Sequence, residues 1–271
     1  MFLEKEDVSL YYEVRGDGDP LILIHGVMVD AGLFERTAEL LSRFYRVVTY
    51  DRRGNSRSIL RAEQAFSMDD QAADILALMD HLGIGSAYFA GASAGAAVGQ
   101  HFLSLYPERV RHLIMYEPAL LGHMSGQPDV GEWIGKMQDL IRRGRYNSAL
   151  LAFANNIASF DTRSPQKSAE QSLREMSNLR YALTEEFPGL IAYKPDLAAL
   201  RRQASKVTLA AGEKSEGTIY YRGALELARE LGKTALFYPG YHNLPYDLPR
   251  EFAICVLGTL QMTEKAGESP A

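Results

Sequence analysis

The segment Ala87-Tyr88-Phe89-Ala90-Gly91-Ala92-Ser93-Ala94-Gly95 decides the reading of this chain. Ala87–Ala90 has the short apolar character of a buried strand, and Ala94–Tyr106 has the spacing of a helix. Between them stands Gly-x-Ser-x-Gly. A serine at such a sharp strand-to-helix turn is held in a strained backbone conformation. Neighbouring Cβ atoms would crowd the turn, which explains a glycine two residues to each side. The N-terminus of the following helix offers free amides and the positive end of a dipole to a developing oxyanion. Glycine and serine are common, so the bare pattern is weak, and the strand–turn–helix context makes it specific. The bland alternative is a glycine-rich packing turn of a dinucleotide fold. The first buried strand speaks against it, because it ends in His25-Gly26 and not in G-x-G-x-x-G.

Outward from this turn, strand and helix signals alternate. Val8–Val14 alternates apolar and polar residues and runs into the turn Gly16-Asp17-Gly18-Asp19-Pro20. Leu21–Ile24 reads as a strand buried on both faces. Gly32–Phe44 has helical spacing, Arg46–Tyr50 is a strand, and Ser67–Leu82 is a helix with Ser67 and Asp70 placed like a capping box. His112–Tyr116 is the next strand. From about Leu120 to Leu200 no convincing strand follows, and Trp133, Ile134, Met137, Leu140 and Ile141 recur at helical spacing, a stripe that reads as plain packing. The alternation resumes with a strand at Val207–Ala211, a helix at Tyr221–Leu231, a strand at Ala235–Tyr238 and a helix at Glu251–Leu260. Such βα alternation predicts an α/β fold with a mostly parallel, doubly wound sheet. Residues 1–119 and 201–263 form its core, 120–200 a helical insert, and 264–271 a flexible tail.

The 271 residues are 46% apolar and 23% charged, as in an ordinary globular protein, with a net charge of −5. That balance gives no support to nucleic-acid binding. Cys255 is the lone cysteine, which fits a reducing compartment, and its apolar surroundings suggest a small buried hydrophobe. The first residues lack the basic start and apolar run of a signal peptide, and no run approaches the length of a membrane span. The expectation is a cytoplasmic protein acting on a small molecule, with no membrane or nucleic-acid partner. There is no metal-ligand cluster and no phosphate loop in the sequence, so no cofactor is expected.

Leu21–Gly26, Tyr50–Ser56, Phe89–Gly95 and Tyr238–Phe252 together resemble the α/β-hydrolase family, in the order that family shows them. The resemblance covers nearly the whole chain outside the insert and the tail. It implies that Ser93 is the nucleophile and that the amides of Val27 and Ala94 form the oxyanion hole. It also implies that the insert is a cap. His242, in Pro239-Gly240-Tyr241-His242 after the last strand, matches the family's general base, which a serine needs to lose its proton. His25 lies beside the oxyanion loop, where a structural hydrogen bond is expected. His81, His101, His112 and His123 carry no motif. Asp51-Arg52-Arg53-Gly54-Asn55-Ser56 is similar to a motif that organises a turn near the nucleophile, and no catalytic role is expected for Asp51 or Arg53.

The sequence departs from the family at the acid. The slot three residues after Gly212, usually aspartate, holds Ser215. Two carboxylates compete for the role. Glu117, at the end of the strand closing at Tyr116, requires no loop shift and resembles the acid placement of some haloalkane dehalogenases. Glu216, one residue late, is the alternative. A turn or helix-cap carboxylate is the bland reading of Glu117. The serine argues against the haloalkane dehalogenase and epoxide hydrolase chemistries, whose members use aspartate at that position. The small Ala92 and Ala94 suggest room beside the nucleophile. Tyr146, Phe153, Phe160, Tyr181, Phe187 and Tyr193 offer aromatic surface in the cap. The expected function is a serine hydrolase acting on a small ester, lactone or related carbonyl compound. A non-hydrolytic lyase or cofactor-free oxygenase on the same scaffold, or a ligand-binding pseudoenzyme, are the alternatives. The vacant acid slot at Ser215 is the motive for the last.

Overall fold

The computed structural model describes residues 1–156 and 164–267. Among these residues nine strands form one sheet: β1 (Phe2–Glu4), β2 (Val8–Arg15), β3 (Asp19–Ile24), β4 (Tyr45–Tyr50), β5 (Ile59–Leu60), β6 (Ala87–Ala92), β7 (Val110–Tyr116), β8 (Val207–Gly212) and β9 (Leu236–Tyr238). Their spatial order is β1-β2-β4-β3-β6-β7-β8-β9, with β5 paired to β2. From β4 to β9 all neighbours are parallel, and β2 joins that block antiparallel, at β4. The mostly parallel α/β sheet expected from the alternation is therefore present. The short β1 and β5 carry half-buried or exposed side chains and no alternation long enough to read.

The strand order reverses direction at β3: β4 lies on one side of it and β6 on the other. Open α/β sheets bind ligands outside the carboxyl ends of strands at such a switch point. His25-Gly26 leaves β3 there, and Ser93 leaves β6 beside it.

Helices cover both faces. α1 (Glu35–Leu41), α2 (Met68–His81) and α3 (Ala94–Leu105) lie in the first half, α10 (Ile219–Glu230), α11 (Leu244–Asp247) and α12 (Pro249–Gly267) in the second. One core holds Ile22, Ile24, Phe89, Val98, Phe102 and Leu113 with the helices α2 and α3. The other holds Leu21, Leu23, Phe34, Tyr116, Phe252 and Val256 with α1 and α12. Alternate residues of β3 thus face opposite cores, which is why Leu21–Ile24 is continuously apolar. The Ser67 hydroxyl caps α2 by accepting from the Asp70 amide at 3.3 Å, as the spacing indicated. The helix expected over Gly32–Phe44 is divided. Asp30 caps a 3₁₀ turn at Ala31–Phe34 before α1 begins at Glu35. Residues 264–267, expected in the tail, belong to α12, which runs to Gly267, and the rest of that expectation lies outside the described residues.

Between β7 and β8 the described residues contain no strand. They form α4 (Leu121–Met124), α5 (Pro128–Arg142), α6 (Tyr146–Ala154), α7 (Ala169–Tyr181), α8 (Phe187–Ala192) and α9 (Leu197–Arg202). A five-residue π-turn, Ala182–Glu186, joins α7 to α8. The Trp133 stripe does pack. Trp133, Ile134 and Met137 are buried, with the Trp133 ring edge-on to Phe187 and near Phe153. Two of the aromatic side chains expected as substrate surface, Phe153 and Phe187, therefore belong to the packing of this helical block. Phe160 lies outside the described residues.

Candidate active site

Ser93 sits at the junction of β6 and α3 with φ 55° and ψ −122°. A non-glycine residue rarely adopts positive φ, and the strain persists only where surrounding structure enforces it. Here the enforcement is visible. The Ser93 amide donates to Tyr116 O at 3.0 Å, and its carbonyl accepts from Ala96 and Ala119 at 3.1 and 3.0 Å. The flanking glycines are obligatory. A Cβ on Gly91 would lie 2.5 Å from Gly95 O, and one on Gly95 would collide with the carbonyls of Ile24 and His25. Ala92 and Ala94 are buried, one in each core.

The carboxylate against His242 is Glu117. Its Oε2 lies 2.6 Å from His242 Nδ1, and its Oε1 accepts from the Gly212 amide at 2.8 Å. Glu117 is wholly buried and carries φ 43°, a second strained residue at the end of the neighbouring strand β7. Its own amide donates to Ala210 O at 2.9 Å, which fixes it to β8. Glu216 is exposed, so the alternative acid is excluded from the His242 contact. Ser215, in the slot the family usually fills with aspartate, is a buried turn residue. Its amide donates to Gly212 O at 2.9 Å and its carbonyl accepts from Thr218 at 3.0 Å. The carboxylate beside the imidazole therefore comes from the end of β7 and not from the loop after β8.

His242 is nearly buried, with 7% of its surface exposed, as is Ser93 at 7%. The Tyr116 hydroxyl donates to Tyr241 O at 2.6 Å and anchors the loop before it. The buried ring of Tyr220 lies against the imidazole, with centroids 4.5 Å apart and an interplanar angle of 31°. Burial and the Glu117 charge hold the Tyr220 phenol well above its ordinary pKa, so it stays neutral. Nothing in the local sequence announces Tyr220. It becomes a site residue only because α10 follows the turn at Ser215. Among the described residues the His242 side chain is hydrogen-bonded to Glu117 and not to the Ser93 hydroxyl. Catalytic hydrogen bonds are often long before substrate arrives.

The loop after β3 lies against the serine. A Cβ on Gly26 would stand 3.1 Å from Ser93 Cβ and 3.6 Å from Oγ. No acceptor among the described residues takes the amide hydrogen of Val27 or of Ala94. His25 is structural, as expected. Its Nδ1 donates to Gly26 O at 2.7 Å and its Nε2 accepts from the Arg52 amide at 2.8 Å. Burial and the adjacent Arg52 guanidinium push its pKa down to about 3. Asp51 and Arg53 are architectural too. Asp51 Oδ1 caps the Ala31 amide at 2.9 Å, and Arg53 grips Asp74 with two bonds of 2.7 Å.

Comparisons with known proteins bear on the family and the fold. Residues 19–244 match the family model described as alpha/beta hydrolase fold. The uncharacterized hydrolase YraK of Bacillus subtilis (strain 168) is 30% identical over 246 residues, covering 89% of this chain and 88% of that protein. Among solved structures, one reported in a study of carboxylesterases of the thaumarchaeon Nitrososphaera gargenis superposes with TM-score 0.76 at 21% identity, covering 98% and 100% of the two chains. A thermophilic esterase from Thermogutta terrifontis superposes with TM-score 0.73 at 19% identity, covering 94% of each. At those identities the structural likeness speaks for the fold. No described helix is long and apolar enough to cross a membrane.

Proposed function

The chain belongs to the α/β-hydrolase fold family and is a hydrolase, and from that premise we propose that it is a serine hydrolase of small carbonyl compounds, with Ser93 as nucleophile, His242 as general base and Glu117 as its acid. The observation that carries the reading is the 2.6 Å Glu117–His242 contact, placed beside a serine in a strained strand-to-helix turn. A serine hydroxyl attacks only when a base takes its proton. Glu117 Oε2 accepts from Nδ1, which leaves Nε2 as the lone-pair nitrogen, and it stabilises the imidazolium that forms.

Ser93 Oγ attacks the carbonyl carbon while its proton passes to His242 Nε2. The negative charge on the former carbonyl oxygen is taken by the Val27 and Ala94 amides. Collapse breaks the bond to the leaving group, an alkoxide or enolate, which takes the proton from His242 as it departs. A water, deprotonated by the same nitrogen, then attacks the acyl-enzyme and frees the acid and Ser93. The described helix α7 and the turn after it dock on the loops that leave β3 and β4, through Asn178 with Ser56 and Val29 and through Glu186 with Arg52, and in this reading the cap confines the acyl group. Esters and lactones fit this sequence of steps, and the esterase among the structural neighbours is in keeping with them. The serine sets the reading apart from aspartate-based dehalogenation and epoxide opening.

The test is pre-steady-state hydrolysis of p-nitrophenyl acetate. A burst of p-nitrophenol stoichiometric with enzyme, abolished in Ser93→Ala, is expected. Turnover that survives Ser93→Ala would overturn the acyl-enzyme and point to lyase or oxygenase chemistry.

A further inference from the structure

Arg52 is wholly buried, yet it is not part of the Ser93–His242–Glu117 constellation. All of its strong contacts converge on one loop and one turn. Its Nε donates to His25 O at 3.0 Å and its Nη2 to Gly26 O at 2.9 Å. Its Nη1 pairs with Glu186 Oε1 at 2.6 Å, and Glu186, equally buried, is the last residue of the π-turn Ala182–Glu186. Single π-turns inside helical segments are uncommon and concentrate at functional sites.

The pair is poorly explained by stability. A buried ion pair is often no better than apolar residues of the same size, because desolvation offsets the attraction. This one is incompletely satisfied as well. Glu186 Oε2, Asn55 Oδ1 and Gln71 Nε2 are buried with no hydrogen-bond partner among the described residues, although all three residues touch Arg52 or Glu186. Such groups ask for a reason other than packing.

The reason lies in one peptide plane. Gly26 O and the Val27 N–H belong to the same planar trans peptide, so they point in opposite directions. Gly26 O is pinned twice, by Arg52 Nη2 and by His25 Nδ1. Fixing the carbonyl on that side aims the Val27 amide to the other, and the face of Gly26 on which a Cβ would stand is turned to Ser93, 3.1 Å from its Cβ. We infer that Arg52 is a positioning residue that orients the Gly26–Val27 peptide as an oxyanion donor, and that Glu186 ties this orientation to the seating of the cap. The inference rests on the serine-hydrolase reading and extends it: the oxyanion hole is complete only when the π-turn is docked on Arg52.

The experiment follows phosphonylation of Ser93 by a fluorophosphonate, resolved into the limiting rate kinact and the binding constant KI, because the phosphonyl oxygen also draws on the oxyanion donors. Failure of the wild type to label would remove the underlying reading, whereas the inference is decided by the variants. Glu186→Gln keeps the side-chain volume and removes the charge. The double variant Arg52→Met/Glu186→Met replaces the pair with apolar side chains, a change that buried pairs tolerate without loss of folding. Both are expected to lower kinact on the order of ten- to a hundredfold, a part of the 10²–10³ lost when an oxyanion donor is removed outright. KI should change by less than about threefold, because the step lost is specific to the transition state. Glu185→Gln, one residue earlier, should match the wild type. A folded double variant with kinact within about twofold of wild type, or a loss residing in KI alone, would show that the pair is only structural.

Discussion

Replacing Glu117 by glutamine is the substitution whose cost the structure lets us work out. The amide oxygen of the new side chain can still accept from the Gly212 amide, the bond that Oε1 now makes at 2.8 Å. The amide NH₂ then faces His242 Nδ1 in place of the carboxylate oxygen at 2.6 Å. Two losses follow. The imidazolium formed in the transition state no longer has a carboxylate beside it. For charge centres about 4 Å apart at an effective dielectric of about 20, that attraction is worth roughly 4 kcal/mol, or about a factor of 10³ in rate. In addition, an NH₂ donor stabilises the tautomer with a bare Nδ1, which leaves Nε2 protonated and unable to take the serine proton. That mismatch alone has cost about 10⁴ in a serine protease triad. The variant should therefore lose about 10³ to 10⁴ in kcat on p-nitrophenyl acetate, with KM changed by no more than a few-fold and the circular dichroism melt retained. Glu216→Gln, at an exposed residue, should leave kcat within about twofold. More than about a tenth of the activity surviving in folded Glu117→Gln, or the loss appearing in Glu216→Gln instead, would refute the assignment of the acid.

Three further outcomes follow from the packing and protonation of the site. Gly95→Ala drives a methyl group into the carbonyls of Ile24 and His25, and should destabilise the fold by about 3 kcal/mol or more, read as a drop in urea midpoint; an unchanged midpoint would contradict the tight turn. Burial lowers the pKa of His25 to about 3, and burial with the nearby Lys233 charge lowers that of His112 to about 4, both from 6.5. The unfolded chain therefore binds the extra protons, so stability is full above pH 6.5 and falls as the pH drops toward 4, by up to about 1.4 kcal/mol per pH unit for each histidine; urea midpoints flat between pH 7 and 4.5 would deny their neutral burial. Tyr220→Leu, which removes the ring against His242, should lower kcat by about three- to tenfold through lost stacking on the imidazolium, while Tyr220→Phe stays within about twofold; equal losses in the two would place the effect in the hydroxyl.

The fold was legible because its signals are local. Leu21–Ile24 is apolar at every position as it faces two cores, and the Gly91-x-Ser93-x-Gly95 turn is dictated by backbone clashes that only glycine avoids. Glu117 could be favoured over Glu216 from the strand end alone, but the choice between them depends on where β7 and β8 stand side by side, and that is a property of the sheet. The missed elements have physical reasons. β1 and β5 are two or three residues long and lie at the antiparallel margin. The first helix breaks because Asp30 caps a 3₁₀ turn ahead of it. Tyr220, and the Arg52–Glu186 pair spanning more than a hundred residues, meet only in the folded chain. Arg52 was visible in the turn motif, but its contact with the peptide behind Val27 has no sequence signature.

The central claim is that Ser93 is an activated nucleophile, and intact mass spectrometry after incubation with a fluorophosphonate tests it most directly. A single adduct on the wild type and none on Ser93→Ala is the expected result. An unlabelled wild type in folded protein, or equal labelling of the two, would contradict it.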